Sequence, residues 1–328
     1  MEDPQSFLEQ MHSFEQLHID VARNSTDDFN PFHDPMRWGN IVGNPFGGPI
    51  ALGFQLEFLC ADRIMRYRQN ELAAEQSAAV EAGESQHQST ATGSTYPFRN
   101  FEFNFVGAVR PKERFAVNVR KTNRSSDPLR GLSNRVLIKK DHGGPVLIGT
   151  QSDTVEPRVK TDLSSLRGQD VRKLPDRDTV PGCDLFLKRK FLTTSNAKNF
   201  ALAALCAQQH YIDELDEQVY FAPIFTASLL SCALLERGLS GGHDFRAEPM
   251  VYTSHLISVD IEVQRRLRSN DAVQLLVAPP VQIDPDGGLG KANVQQVEFS
   301  CAAMVLEGVP LFHALLRLAP LASLVERS

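Results

Sequence analysis

The chain predicts an α+β fold made of two tandem copies of one unit, each a long helix followed by antiparallel strands. Three observations carry this. Two apolar helical runs, 50–67 and 224–237, each open on a Pro-Ile pair, at Pro49 and at Pro223. Apolar residues alternate with polar ones at Phe101, Phe103 and Phe105 and again at Val259, Ile261 and Val263, the period of half-buried strands. The elements recur in the same order in both halves. A helix ahead of antiparallel strands belongs to the α+β class rather than to a doubly wound sheet.

Taken in order, residues 19–29 read as a strand and a short helical start, and 191–200 read alike, with Phe29 matched to Phe200. The two helices follow. Strand 101–109, the basic turn 110–114 and strand 115–119 then match strand 256–263, turn 266–271 and strand 272–278. The last strands pair as well, Gly144-Pro145-Val146-Leu147-Ile148 with Gly308-Val309-Pro310-Leu311-Phe312. Two stretches break the symmetry. Residues 69–95 are rich in Ala, Glu, Gln, Ser and Gly and read as a frayed helix extension and a flexible loop. Residues 159–181 are polar and read as a linker. The expected division is a first unit over 1–158, the linker, and a second unit over 182–328.

Composition narrows the function. Of 328 residues, 42% are hydrophobic and 23% charged, as in ordinary globular proteins. A net charge of −6 argues against bulk attraction to nucleic acid or an anionic membrane, and no apolar run is long enough to span one. Met-Glu-Asp-Pro-Gln at the start carries no apolar signal core, so a cytoplasmic location is expected. The five cysteines show no CxxC pair or metal-ligand spacing and are expected as buried free thiols. No metal cluster and no Walker or Rossmann glycine pattern is visible.

The chemistry concentrates in Asp28-Phe29-Asn30-Pro31-Phe32-His33 and in Pro49-Ile50-Ala51-Leu52-Gly53. An acid and an imidazole stand five positions apart beside a proline that prevents regular helix, so a bend can bring them together. Asn30 is expected to tie that bend to the backbone. The helix opening near Ile50 points its free N–H groups at the site. Such a set can move a proton and hold a developing negative charge.

This pattern resembles the active-site segment of the MaoC-like, R-specific enoyl-CoA hydratases, Asp-x-Asn-Pro-x-His followed by Pro-Ile-x-His-Gly. The resemblance is carried by residues 14–60 and, beyond them, by the strand pattern. It implies a double hotdog, in which each long helix is wrapped by a curved antiparallel sheet. It also implies a hydro-lyase that interconverts 2-enoyl and (R)-3-hydroxyacyl thioesters. Asp28 and His33 would handle water and proton, Gly53 N–H would be the oxyanion donor, and Asn30 and Pro31 would support the site. No cofactor is implied, since coenzyme A or phosphopantetheine comes with the substrate. The implied partners are an acyl thioester and an acyl carrier protein, with the chain a homodimer or a pseudo-dimeric monomer.

The chain departs from that pattern at Leu52, which replaces a histidine, and at Ala61, beside Cys60, which falls where many members have serine. Trp38 and Leu52 are candidate pocket walls. Arg110, Lys112 and Arg114 are candidate contacts for phosphate or carrier, with further basic clusters at 120–124, 188–190 and 265–268. In the second half, the Phe29–Phe200 match sets Asn199 and Ala204 opposite Asp28 and His33 and leaves His210 off register, so that half is expected to be non-catalytic. The competing readings are a hotdog thioesterase, an acyltransferase or decarboxylase relative, and a non-catalytic acyl-thioester-binding subunit.

Overall fold

One strand order occurs twice, and the two copies meet edge to edge. The computed structural model describes residues 10–81, 96–127, 129, 131–166, 168–283 and 295–325. In the first half, β1 (Met11–Ser13), β2 (Phe98–Phe105), β3 (Arg114–Val119), β4 (Leu132–Lys140) and β5 (Pro145–Thr154) lie in the order β1-β3-β4-β5-β2. The second half has β6 (Phe186–Phe191), β7 (Met250–Asp260), β8 (Ala272–Val277), β9 (Gln296–Val305) and β10 (Val309–Pro320). Their order, β6-β8-β9-β10-β7, is the same pattern. Antiparallel pairing of β2 with β7, Phe101 opposite Ile257 and Phe103 opposite His255, joins the halves into one sheet.

Helices repeat with the strands. α1 (Gln16–Thr26) packs on its counterpart α3 (Thr194–Ala203), and α2 (Gly53–Glu81) packs on α4 (Pro223–Ser228). α2 also lies against β3, β4 and β5, and α5 (Leu230–Ser240) lies against β6 and β8. The first three turns of α2 bury Phe54, Leu56, Phe58, Leu59, Cys60 and Ile64 in a core that runs continuously through both halves. That shared core makes the two units a pseudo-dimer within one chain.

Several expectations need correcting. Residues 19–26 are not strand but part of α1, because 16–26 puts Ile19 and Ala22 on one buried face at helical spacing. Ile261 and Val263 leave the strand for a short helix, α6 (Ile261–Arg266), whose first N–H groups, Glu262 and Val263, are accepted by the Asp260 carboxylate. Residues 69–81 continue α2; Ala, Glu, Gln and Leu are strong helix formers, and Glu71 meets Thr122 while Glu75 pairs with Arg124 at 3.0 Å. The loop expected beyond it, 82–95, lies outside the described residues. Residues 159–181 do more than span: Leu166, Val171 and Val180 build a small core with Leu185, Leu187 and Leu276. All five cysteines are free.

Candidate active site

The bend at 27–34 begins where α1 stops. Asp27 takes a left-handed conformation (φ 56°), which Asp tolerates better than most residues. Its carboxylate meets Lys190 of the second half. The Asp28 N–H closes onto the Arg23 carbonyl at 2.8 Å, and the chain leaves the helix with the Asp28 side chain turned inward, 3% exposed. Asp28 Oδ1 accepts the Asn30 N–H at 2.9 Å, and Asn30 Oδ1 accepts the Phe32 N–H at 3.1 Å. Asn30 thus caps a 3₁₀ turn at Pro31–His33, with Pro31 in its first position, where a missing N–H costs nothing.

Two further contacts fix the bend. Phe32 is buried with Ile41 and Leu321, so residues from both halves hold it. The segment leading to α2 runs alongside: Ile50 N–H donates to Phe32 O at 3.0 Å, and His33 Nδ1 lies 2.8 Å from Ile50 O. A carbonyl only accepts, so Nδ1 carries the proton and a neutral ring presents its Nε2 lone pair. That atom lies 3.9 Å from Asp28 Oδ2. This is too long for a direct hydrogen bond, and it leaves room for one water to reach both groups. Burial lowers the His33 pKa, with Arg23 acting the same way, against the opposing pull of Asp28 and the Ile50 carbonyl. The imidazole is therefore neutral at pH 7 and able to take a proton.

Gly53 is the first residue of α2, so its N–H belongs to the turn that the helix leaves without an acceptor. The absent side chain has a local cause. A Cβ here would lie 3.0 and 3.1 Å from the Cζ and Cε1 atoms of Phe105, whose ring occupies that space. Leu52 turns into the main core. Trp38 is half-buried in a 3₁₀ turn beyond the bend, and its carbonyl accepts from Asn44. Arg23 anchors this loop through Asp34 at 2.9 Å.

The candidate cations divide. Arg110 is engaged by Glu113 at 2.7 Å and reaches the Phe46 carbonyl, above the loop that enters α2. Arg114 faces Asp141 at 3.7 Å, and Lys112 is exposed at a turn with φ 66°. Arg120 and Lys121, with Arg135 and Arg158, line a separate groove of about 450 Å³. Among the described residues no group of His, Cys, Asp and Glu is placed to hold a metal, and no helix is long and apolar enough to cross a membrane.

The second-half register needs correction. Two residues past α3, Leu205 takes φ 59°, and Cys206 N–H closes onto Ala201 O at 2.9 Å, as Asp28 does onto Arg23. A 3₁₀ turn follows at Gln208–His210. Cys206 is therefore the counterpart of Asp28 and, with one residue fewer between the helix end and the 3₁₀ turn, His210 is the counterpart of His33. Asn199 is exposed within α3 and Ala204 is buried at its end. The apolar match of Phe29 to Phe200 misled because helix termination, not one aromatic, sets the register.

The sequence reading also missed a buried pair beside the site, Glu57 on α2 and His255 on β7. Both side chains are 0% exposed, with Oε1 and Nδ1 2.8 Å apart. A glutamate one helical turn after Gly53 was the available signal.

Neither a protein-family model nor a curated protein matches the chain. Solved structures do. A MaoC-like dehydratase matches with a TM-score of 0.53 at 13% identity, over 95% of this chain and 96% of its own. A conserved hypothetical protein from Mycobacterium tuberculosis with a double hotdog fold matches at 0.53 and 9%, over 94% and 93%. A protein described as a MaoC domain dehydratase from Chloroflexus aurantiacus matches at 0.55 and 9%, over 95% and 93%. At such identities the likeness speaks for the fold, and the chain is a double hotdog along almost its whole length.

Proposed function

We propose that the protein is a hydro-lyase that interconverts 2-enoyl and (R)-3-hydroxyacyl thioesters at Asp28, His33 and Gly53. One observation carries the reading. A buried carboxylate and a neutral imidazole, its Nδ1 fixed by Ile50, face each other 3.9 Å apart at the mouth of a long helix. Both are acceptors in these states, so a water between them donates to both and is oriented for attack.

In hydration, the water oxygen bonds to Cβ as one of its protons passes to the pair. The carbon–carbon π electrons move toward the thioester carbonyl, and the oxygen charge is met by Gly53 N–H and the α2 N-terminus. One such donor contributes about 3 kcal/mol. A proton delivered to Cα completes the step, and dehydration is the reverse. Coenzyme A or phosphopantetheine enters as part of the substrate, and an acyl carrier protein is a natural donor. The stereochemistry and the acyl-thioester class rest on the motif's resemblance alone, and the dehydratase names among the structural neighbours support the hydro-lyase class of reaction.

Incubation with crotonyl-CoA, followed at the enoyl absorbance, tests this. Loss of the enoyl signal with formation of 3-hydroxybutyryl-CoA is expected. Release of free coenzyme A without hydration identifies a thioesterase, and binding without turnover identifies an acyl-thioester-binding subunit.

A further inference from the structure

Glu57 and His255 meet where the two hotdogs join. Glu57 follows Gly53 by four residues and so lies on the same face of α2, about 6 Å farther along the axis. His255 stands on β7 opposite Phe103 of β2, at the seam between the halves. Three rings surround its imidazole: Tyr252 at 4.5 Å, Phe54 at 4.6 Å and Phe105 at 4.9 Å between centroids. Phe105 is the ring that fills the space beside Gly53. Phe105 and Tyr252 are only half-buried, so this ring wall reaches the surface.

A purely structural role leaves the pair unexplained. Glu57 Oε1 and His255 Nδ1 meet at 2.8 Å as a buried acid–imidazole pair. The outer atoms, Glu57 Oε2 and His255 Nε2, lack a hydrogen-bond partner among the described residues. Two buried polar atoms without partners are costly, and fastening helix to strand uses only the inner two. Tyr252 ties this cluster to the catalytic pair. Its phenol is pushed up by burial against the opposing hydrogen bond to Ser231, and Asp28, Cys301 and Glu57 each add to the rise, so the ring lies within the field of both acids. Burial likewise raises the Glu57 carboxyl, which favours a protonated form able to donate as well as accept.

We propose that Glu57 and His255 bind an oxygen substituent on the acyl chain, so that the substrate is a hydroxy- or oxo-acyl thioester rather than a plain alkyl one. This rests on the hydro-lyase reading. The 6 Å offset from Gly53 corresponds to roughly four to five carbon–carbon bonds of about 1.5 Å, which puts the oxygen at the fifth or sixth carbon. A carboxyl and an imidazole together offer donors and acceptors, enough to satisfy either a hydroxyl or a carbonyl.

The test compares hex-2-enoyl-CoA with 6-hydroxyhex-2-enoyl-CoA, in the wild type and in the Glu57→Leu/His255→Phe double variant. The expected result is a kcat/KM at least about tenfold higher for the hydroxylated thioester in the wild type, falling to within about twofold in the variant. The ratio does not depend on how much of a preparation is folded, and the wild-type preference needs no variant. Equal or inverted wild-type preference overturns this assignment and leaves the hydro-lyase reading standing. A preference that survives in the double variant also overturns it. Failure to hydrate any thioester removes both.

Discussion

Residues 27–33 and 205–210 make the same turn with different side chains, and the contrast separates scaffold from chemistry. Each follows a helix closed off by a left-handed residue, Asp27 or Leu205, and each runs into a 3₁₀ turn. In the first, Asp28 and His33 are buried, fixed from behind, and make no direct hydrogen bond to each other. In the second, the acid's place is taken by the Cys206 thiol, pushed well up by burial and by Asp62, so it is neither a base nor a nucleophile at neutral pH. His210 is exposed beside Arg66 at 2.9 Å, while Tyr211 donates to Asp62 at 3.1 Å. The second bend thus spends its polar groups on holding α2. The backbone device is common to both bends, so the proposed reaction rests on the side chains the first one carries.

The largest expected effect breaks the symmetry outright. Asp28→Asn and His33→Ala should each lower kcat by ~10²-fold or more, with the double variant little worse than either, since groups serving one step are not additive. Cys206→Ser and His210→Ala should leave kcat/KM within about twofold, because neither belongs to the proposed reaction centre. Additive losses at 28 and 33, or a large loss at 210, would undo the contrast.

Anchoring should differ too. Phe32 is buried in a core shared by both halves, whereas its counterpart Gln209 is exposed. Phe32→Ala should cost about 3 kcal/mol in urea unfolding, and Gln209→Ala within about 0.5 kcal/mol. Similar losses at both positions would show that the bends are held alike.

A smaller effect is expected where the helices begin. Gly53 aligns with Ala227, a buried methyl tolerated in α4. Gly53→Ala meets the Phe105 ring at 3.0 Å, so the ring or the helix start must shift. A fall in kcat/KM of about tenfold is expected, partly restored by adding Phe105→Leu. No change in Gly53→Ala would show that the ring yields freely.

The mildest consequence is in pH. The folded His33 titrates below the ordinary 6.5, so the unfolded chain takes up the proton first as pH falls. Its stability contribution is whole above 6.5 and is lost as pH drops toward the folded value. The acid limb of kcat/KM should likewise lie below 6.5 and be absent from the residual activity of His33→Ala. A limb above 6.5 would contradict the burial argument.

How much of this was legible follows from what each signal depends on. The helical runs after Pro49 and Pro223, the second divided at Leu229 into α4 and α5, and the strands near 101–105, 115–119 and 272–277 are written in apolar periodicity, which reports local burial; strands 132–140 and 296–305 were not read from it. The 28–33 cluster could be read because Asn30 and Pro31 shape the chain within a few residues. Local signals did not reveal that Ile261 and Val263 leave the strand, since that depends on the Asp260 cap outweighing an alternating pattern. The second bend was misread because its register is set by backbone handedness at Leu205, which no side-chain pattern marks. Glu57 and His255 are 198 positions apart in the numbering of the chain, and only the β2–β7 seam brings them together.

The central claim, that one bend is the reaction centre and the other its scaffold copy, is tested most directly by a crystal structure with a bound (R)-3-hydroxyacyl thioester. The account predicts the 3-hydroxyl within hydrogen-bond reach of both Asp28 and His33, and the thioester oxygen on Gly53 N–H. Density for the thioester beside Cys206 and His210 instead would contradict it.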